Sequence, residues 1–308
     1  MSPPCSALKN RIAWNGFALT LPDEWEVVGH QLDPKLGEFR LSKRLKPCGQ
    51  ISWRHVPNPR AHPDLTHEVT ERHRAMIAQR AGSAQRSPQR AASAQPALSE
   101  LADKHGWLVS AADPLMPRQA VRWFADRHLV VLVIVEPTVD EADFMMILAS
   151  WQTREDTMIE HALYGLRVIL PATWQVERVV AQPGSVRLIA RGPGLMTLTA
   201  RRIALARHLL AGTTVGDFFT HVLRAEGASA MLEGDDGEAL VLRGCPAARL
   251  TFQRGGEFGW RWLRGRWWTG TAWVWHDAPR NRLYSIEQIG PARTAQLTFD
   301  EIVPVDHV

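Results

Sequence analysis

The chain has 308 residues, long for one core and enough for two domains of about 150 each. Apolar residues make up 45% and charged residues 22%, the proportions of an ordinary soluble globular protein that needs neither disulfides nor metal to fold. The formal charge is +4 with no long Lys/Arg block, so composition gives nucleic-acid binding little support.

The three cysteines, Cys5, Cys48 and Cys245, show no paired spacing, which predicts reduced thiols in a reducing compartment. Residues 1–15 lack a charged-then-apolar leader pattern. The longest apolar run, Leu129 to Val135, is too short to cross a bilayer. The expectation is a cytoplasmic protein with no membrane span.

In chain order, Phe17, Leu19 and Leu21 alternate as a strand, and Pro22-Asp23 turns it. Trp25 and Val27 restart an extended segment. Glu38 to Ser42 and Gln50 to Val56 read as a strand pair, joined by a turn at Pro47-Cys48-Gly49. A helix is predicted from Asp64 or Thr66 through Ile77. Residues 82–95, rich in Ser, Ala, Gln and Arg, have little to bury and read as a flexible loop. Strands are predicted over 106–111, 119–124, 128–135 and 142–150. The run from Leu129 to Val135 is apolar on both pleat faces, as a central covered strand should be.

The motif Gly16-x-x-x-x-Leu21-Pro22-x-x-Trp25-x-Val27 then recurs as Gly165-x-x-x-x-Leu170-Pro171-x-x-Trp174-x-Val176. A helical join is predicted over 155–163, strands over 186–188 and 196–203, and a helix over 215–225. The Pro193-Gly194 turn matches Pro47-Cys48-Gly49. Arg122 to Arg127 aligns with Arg261 to Arg266, and 142–150 aligns with 281–289. A short helix closes the chain over 294–302. The echo predicts a tandem duplication, with copies at 1–155 and 156–308. Short turns between strands imply antiparallel pairing, and helices must cover the sheets. The expected fold is α+β: two antiparallel-sheet α/β/α sandwiches.

The repeated Leu-Pro-x-x-Trp motif, followed by strand pair, helix and late meander, resembles the PsbP-like fold. That superfamily includes photosystem II extrinsic subunits, a Ran-binding transport factor, bacterial lipoproteins and type VI secretion effector chaperones. The resemblance implies a binding, adaptor or chaperone role rather than catalysis. Only Leu21-Pro22, Trp25, Leu170-Pro171 and Trp174 match, and they look like structural anchors. The tandem arrangement departs from the single-domain chaperones.

Thirteen Trp stand against two Tyr, and the densest cluster runs from Trp260 to Trp275. Alternation puts Phe258, Trp260 and Trp262 on one face of a strand, and Trp267, Trp273 and Trp275 on one face of the next. Either these rings fill the core beneath helices, or Trp267, Trp273 and Trp275, with Arg264 and Arg266, form a partner-binding groove. Stacking on nucleic-acid bases is a third alternative.

His67 and Glu71 share a helix face, but the second His of a zinc-protease motif is missing, and Glu68 with Arg72 reads as an ion pair. Asp235-Asp236-Gly237-Glu238 lacks the ligand spacing of a calcium loop. Gly192-Pro193-Gly194 and Gly255-Gly256 are too short for phosphate loops. His276-Asp277 could form an acid–base pair, without a nucleophile motif beside it. No catalytic set, metal site or cofactor is assigned. The expected function is to hold a protein partner on a sheet face or in the inter-domain cleft. The alternatives are an enzyme or small-molecule binder with a pocket between the copies, and nucleic-acid binding through Arg264, Arg266, Arg80, Arg86 and Arg90.

Overall fold

The computed structural model describes residues 11–33, 35–58, 63–72, 74, 98–101, 106–110, 115–153, 157–231, 238–242, 244–254, 268–291 and 297–302. It divides into two compact units, a continuous one (Leu19–Gln152) and a discontinuous one (Met1–Ala18 with Thr153–Val308). Residues 11–18, expected in the first copy, thus group with the second.

The first described strands are β1 (Arg11–Trp14) and β2 (Phe17–Thr20), joined at Asn15-Gly16. Both turn residues have positive φ, as a tight hairpin turn requires. The continuous unit carries β3 (Trp25–Leu32), β4 (Leu36–Lys43), β5 (Lys46–His55), β6 (Leu98–Leu101), β7 (Trp107–Ser110), β8 (Arg118–Phe124) and β9 (Leu129–Val135). Its helices are α1 (65–72) and α2 (Glu141–Ala149). The strands form one antiparallel sheet in the order β3-β4-β5-β9-β8-β7-β6. Strand β9 sits at its centre, and nearly all its residues are buried.

Successive strand residues face opposite sides, so each face needs its own cover. Helix α2 buries Phe144, Ile147 and Leu148. Trp107 donates its indole N–H to the Leu148 carbonyl at 3.2 Å and packs with Phe124 and Trp151. Trp25 donates to Asp143 Oδ2 at 3.0 Å, so the motif tryptophan anchors α2 through a bond as well as area. Helix α1, started by Asp64 accepting from the His67 N–H, buries Val69 against Val56, Val121 and Val130.

The discontinuous unit continues through β10 (Gln152–Thr153), β11 (Met158–Leu163), β12 (Leu166–Pro171), β13 (Gln175–Gln182), β14 (Ser185–Arg191) and β15 (Thr197–Ala204). Then come α3 (Ala206–Leu209), α4 (Val215–Ala225), β16 (Ala228–Met231), β17 (Glu238–Leu242), β18 (Cys245–Arg254), β19 (Trp268–Asp277), β20 (Arg282–Pro291) and α5 (Phe299–Ile302). Strands β13 to β20 make a second antiparallel sheet, ordered β13-β14-β15-β20-β19-β18-β16, with β17 also on β18. The third sheet runs β10-β2-β1-β11-β12. Helix α4 opens with a reciprocal capping box between Thr214 and Asp217. It buries Phe219 and Leu223 against Leu250, Phe252, Ala272 and Val274.

The two large sheets share one path: a three-strand meander, then a step to the unit's last strand, then a return. Both edge strands also break register at one place, between Val27 and Gly29 in β3 and between Val176 and Arg178 in β13. The spacing that carries Leu21 onto Leu170 carries the first break onto the second.

The expected α/β/α sandwiches do not form. The chain is mostly β, in three antiparallel sheets, and its helices are short. Two expectations fail in opposite directions. Residues 155–163, predicted as a helical join, pair along β12 as β11 from Met158 onward. Residues 142–150, predicted as a strand, form α2, where Ala, Met, Leu and Glu favour helix. The position of β20 in its sheet is therefore matched by β9, and 142–150 does not correspond to 281–289. The β4–β5 turn falls at Arg44-Leu45, both at positive φ, while Pro47 to Gly49 lie inside β5. Residues 82–95 lie outside the described residues. No described helix is long and apolar enough to cross a membrane.

Candidate functional site

Of the tryptophans of the anticipated groove, Trp275 takes the first alternative. Trp275 is 2% exposed, stacks on Tyr284 at 5.3 Å and meets Phe299 of α5 edge-on. It is a core residue, which corrects its assignment to a partner groove. Trp273 lies on the same face, half-buried, with its ring 6.3 Å from Phe299. Trp267, Arg264 and Arg266 lie outside the described residues, as do Trp260 and Trp262.

The anticipated His276–Asp277 pair does not assemble. The Asp277 carboxylate accepts from the Arg280 backbone N–H at 3.1 Å and from its guanidinium at 2.7 Å, which closes the β19–β20 turn. On α1, Glu68 pairs with Arg54 of β5 rather than with Arg72, and Glu71 pairs with Arg74. Among the described residues no three His, Cys, Asp or Glu side chains are grouped to hold a metal.

The strongest polar constellation was not anticipated. It lies on the α4-bearing face of the second sheet, where the helix covers β16, β18 and β19. Arg201 of β15, 8% exposed, stands between two carboxylates. Its Nη1 donates to Glu226 Oε1 at 2.7 Å, and its Nη2 reaches Glu226 Oε2. The same guanidinium meets Glu287 of β20 through Nε at 2.8 Å and Nη2 at 3.1 Å. Ser285 donates to Glu287 Oε1 at 3.1 Å. Arg187 and Arg254 flank Glu226 at 3.4 and 3.9 Å. Glu226 caps the C-terminus of α4, so the helix delivers this carboxylate to the edge of its own footprint.

Burial decides the protonation balance. It pushes the Glu287 carboxyl, 4% exposed, above its ordinary value despite Arg201. Burial would also raise Glu226, but hydrogen bonds and charge from Arg201, then the charges of Arg187 and Arg254, hold it low. Burial works against the Arg201 charge, yet the two carboxylates raise its pKa overall. A buried ion cluster is weak support for stability, because desolvation offsets most of its Coulomb gain. The first sheet does without one: Ser52 stands where Arg201 would be, and Glu38 where Arg187 would be. There Gln50 and Arg40 donate to Glu38 at 2.7 and 2.8 Å, near solvent.

A second polar group lines a cleft of about 270 Å³ bounded by Gly16, Phe17, Met158, Glu160, Arg167 and Ile169. Glu160 accepts two bonds from Arg11 at 2.8 Å and one from Arg167 at 2.6 Å. Burial would raise its carboxyl, but the two guanidinium groups keep it below the ordinary value. The two arginines converge on one carboxylate, which suits a structural clamp.

No protein-family model and no curated protein sequence matches this chain.

Proposed function

We propose that the chain is a non-enzymatic adaptor or chaperone-like protein, built from two copies of a PsbP-like unit, that holds a segment of a partner protein on a sheet face. The single observation carrying this reading is the half-face beside α4. Strands β13 to β15 lie beyond the helix's main footprint there, with Ile189 and Thr199 partly exposed and Arg187, Glu226 and Arg254 rimming them. A strip of apolar and hydroxyl side chains with a charged rim is the usual anatomy of a protein-binding surface. The common strand path and the repeated register break support the duplication on which the reading rests.

The test is capture of partners from nuclease-treated native lysate by the tagged full chain and by R187E. One stoichiometric protein held by the unmodified chain and lost from R187E supports the reading. Identical proteins on both baits, or none on either, would overturn it.

A further inference from the structure

We infer that Arg202 and Arg282 form a binding site for a dianionic phosphoryl group beside the Tyr164-Gly165 turn. The site is separate from the half-face above. Arg201 and Arg202 are neighbours in β15, so the pleat sends them to opposite sides of the sheet. Arg201 meets two carboxylates. Arg202 meets none: neither it nor Arg282 makes a hydrogen bond or ion pair to a described residue. The Arg202 Nε is buried without an acceptor.

The two guanidinium groups converge on one point. Strand β20 places Tyr284 opposite Arg202 and Arg282 opposite Ala204, so both arginines project from the same face two positions along. Tyr164 and Gly165, both at positive φ, turn β11 into β12. A side chain at Gly165 would put its Cβ 3.0 Å from Arg282 Nη1 and 3.3 Å from Arg202 Nη1. The glycine therefore admits both groups to one small space. Each stands near the other's positive charge, and burial followed by the Arg282 charge lowers the Arg202 pKa. Asp277, paired with Arg282 across β19 and β20, is held by Arg280 instead.

Two adjacent guanidinium groups with no described carboxylate between them repel one another until an anion enters. Guanidinium N–H donors suit the oxygens of a tetrahedral oxyanion, and a double negative charge neutralises both. The first sheet has no such pair. Trp53 and Leu129 hold the corresponding positions there, and both are buried. The second unit has thus placed two positive charges where its counterpart has apolar filling.

The experiment titrates the full chain with inorganic phosphate at fixed ionic strength, by calorimetry and by phosphorus NMR line broadening, with sulfate and O-phosphoserine as parallel probes. One saturable site per chain is expected. R202Q and R282Q should each weaken it about tenfold or more, as loss of a charge-assisted contact does, while R191Q leaves it unchanged. Tighter binding of O-phosphoserine than of phosphate would identify a phosphorylated side chain as the natural group; the reverse order would identify free phosphate. Absence of saturable uptake by the unmodified chain overturns the inference, and so does equal binding by R202Q and R282Q. If circular dichroism shows R202Q unfolded, R282Q and the charge-preserving R282K decide: binding must be lost in the first and largely kept in the second.

Discussion

Replacing Arg201 by Met should destabilise the protein far more than replacing Glu287 by Gln. Arg201→Met removes the only cation among the described residues that touches the buried Glu287 carboxylate and strips Glu226 of its closest partner. Breaking a buried pair from one side costs about 3–5 kcal/mol, because the stranded charge has no water. For a unit of this size that lowers the melting temperature by about 6–20 °C. Glu287→Gln is different. It removes the one carboxyl that burial already pushes towards protonation, and it leaves Arg201 with both oxygens of Glu226. Its cost should stay within about 1 kcal/mol. The double change R201M/E287L replaces the pair with apolar volume and should recover most of the single loss. Urea unfolding of the four proteins, followed by tryptophan fluorescence, ranks their stabilities. If E287Q costs as much as R201M, or if the double variant is no better than R201M alone, the account of this cluster is refuted.

Trp275→Ala should cost about 3–5 kcal/mol by calorimetry, the figure for a large buried ring, whereas an exposed docking tryptophan would cost almost nothing. Burial lowers the His161 pKa to about 4, against about 6.5 in the unfolded chain. Because the folded value is depressed, its contribution is complete above pH 6.5 and is lost as pH falls towards 4. Roughly 3 kcal/mol should disappear across that window, and H161F should flatten the slope of urea midpoint against pH. A Cβ at Gly37 would fall 2.1 Å from the Trp53 ring, so G37A should lower stability by about 1–3 kcal/mol, while G184A, with open space at φ +80°, should cost about 1 kcal/mol. Burial raises the Cys48 thiol to about 12, so in a C5S background the native protein should titrate with thiol reagent at Cys245 well before Cys48.

What was legible in the sequence was what short-range pattern encodes. The doubly apolar run of β9 announced a central strand, and the stretch from Val215 to Ala225 announced α4. The repeated Leu-Pro-x-x-Trp placed Trp25 and Trp174 in the core. The turn at Arg44-Leu45 was hidden because neither residue type favours positive φ. Helix α2 was hidden because Phe144, Ile147 and Leu148 are as apolar as strand residues, and alignment to β20 overrode their helical spacing. The charge cluster was hidden for a different reason. Arg201 finds Glu287 only through the register of β15 on β20, 86 residues further along the chain, and no local motif carries that pairing. The available signal was the Arg201-Arg202 doublet within an otherwise mild strand, and a glutamate inside the apolar β20.

The register breaks in β3 and β13 bear on how the protein behaves at high concentration. Each lies on an outermost strand of its sheet, where unpaired backbone N–H and carbonyl groups could recruit another molecule. Val28, 52% exposed, falls within the first break. A flat edge carrying that valine would template endless strand addition between molecules, whereas a local kink spoils the fit for an incoming strand. The extra residue thus works against strand addition at two open sheet edges, and its deletion should make the protein more prone to aggregate.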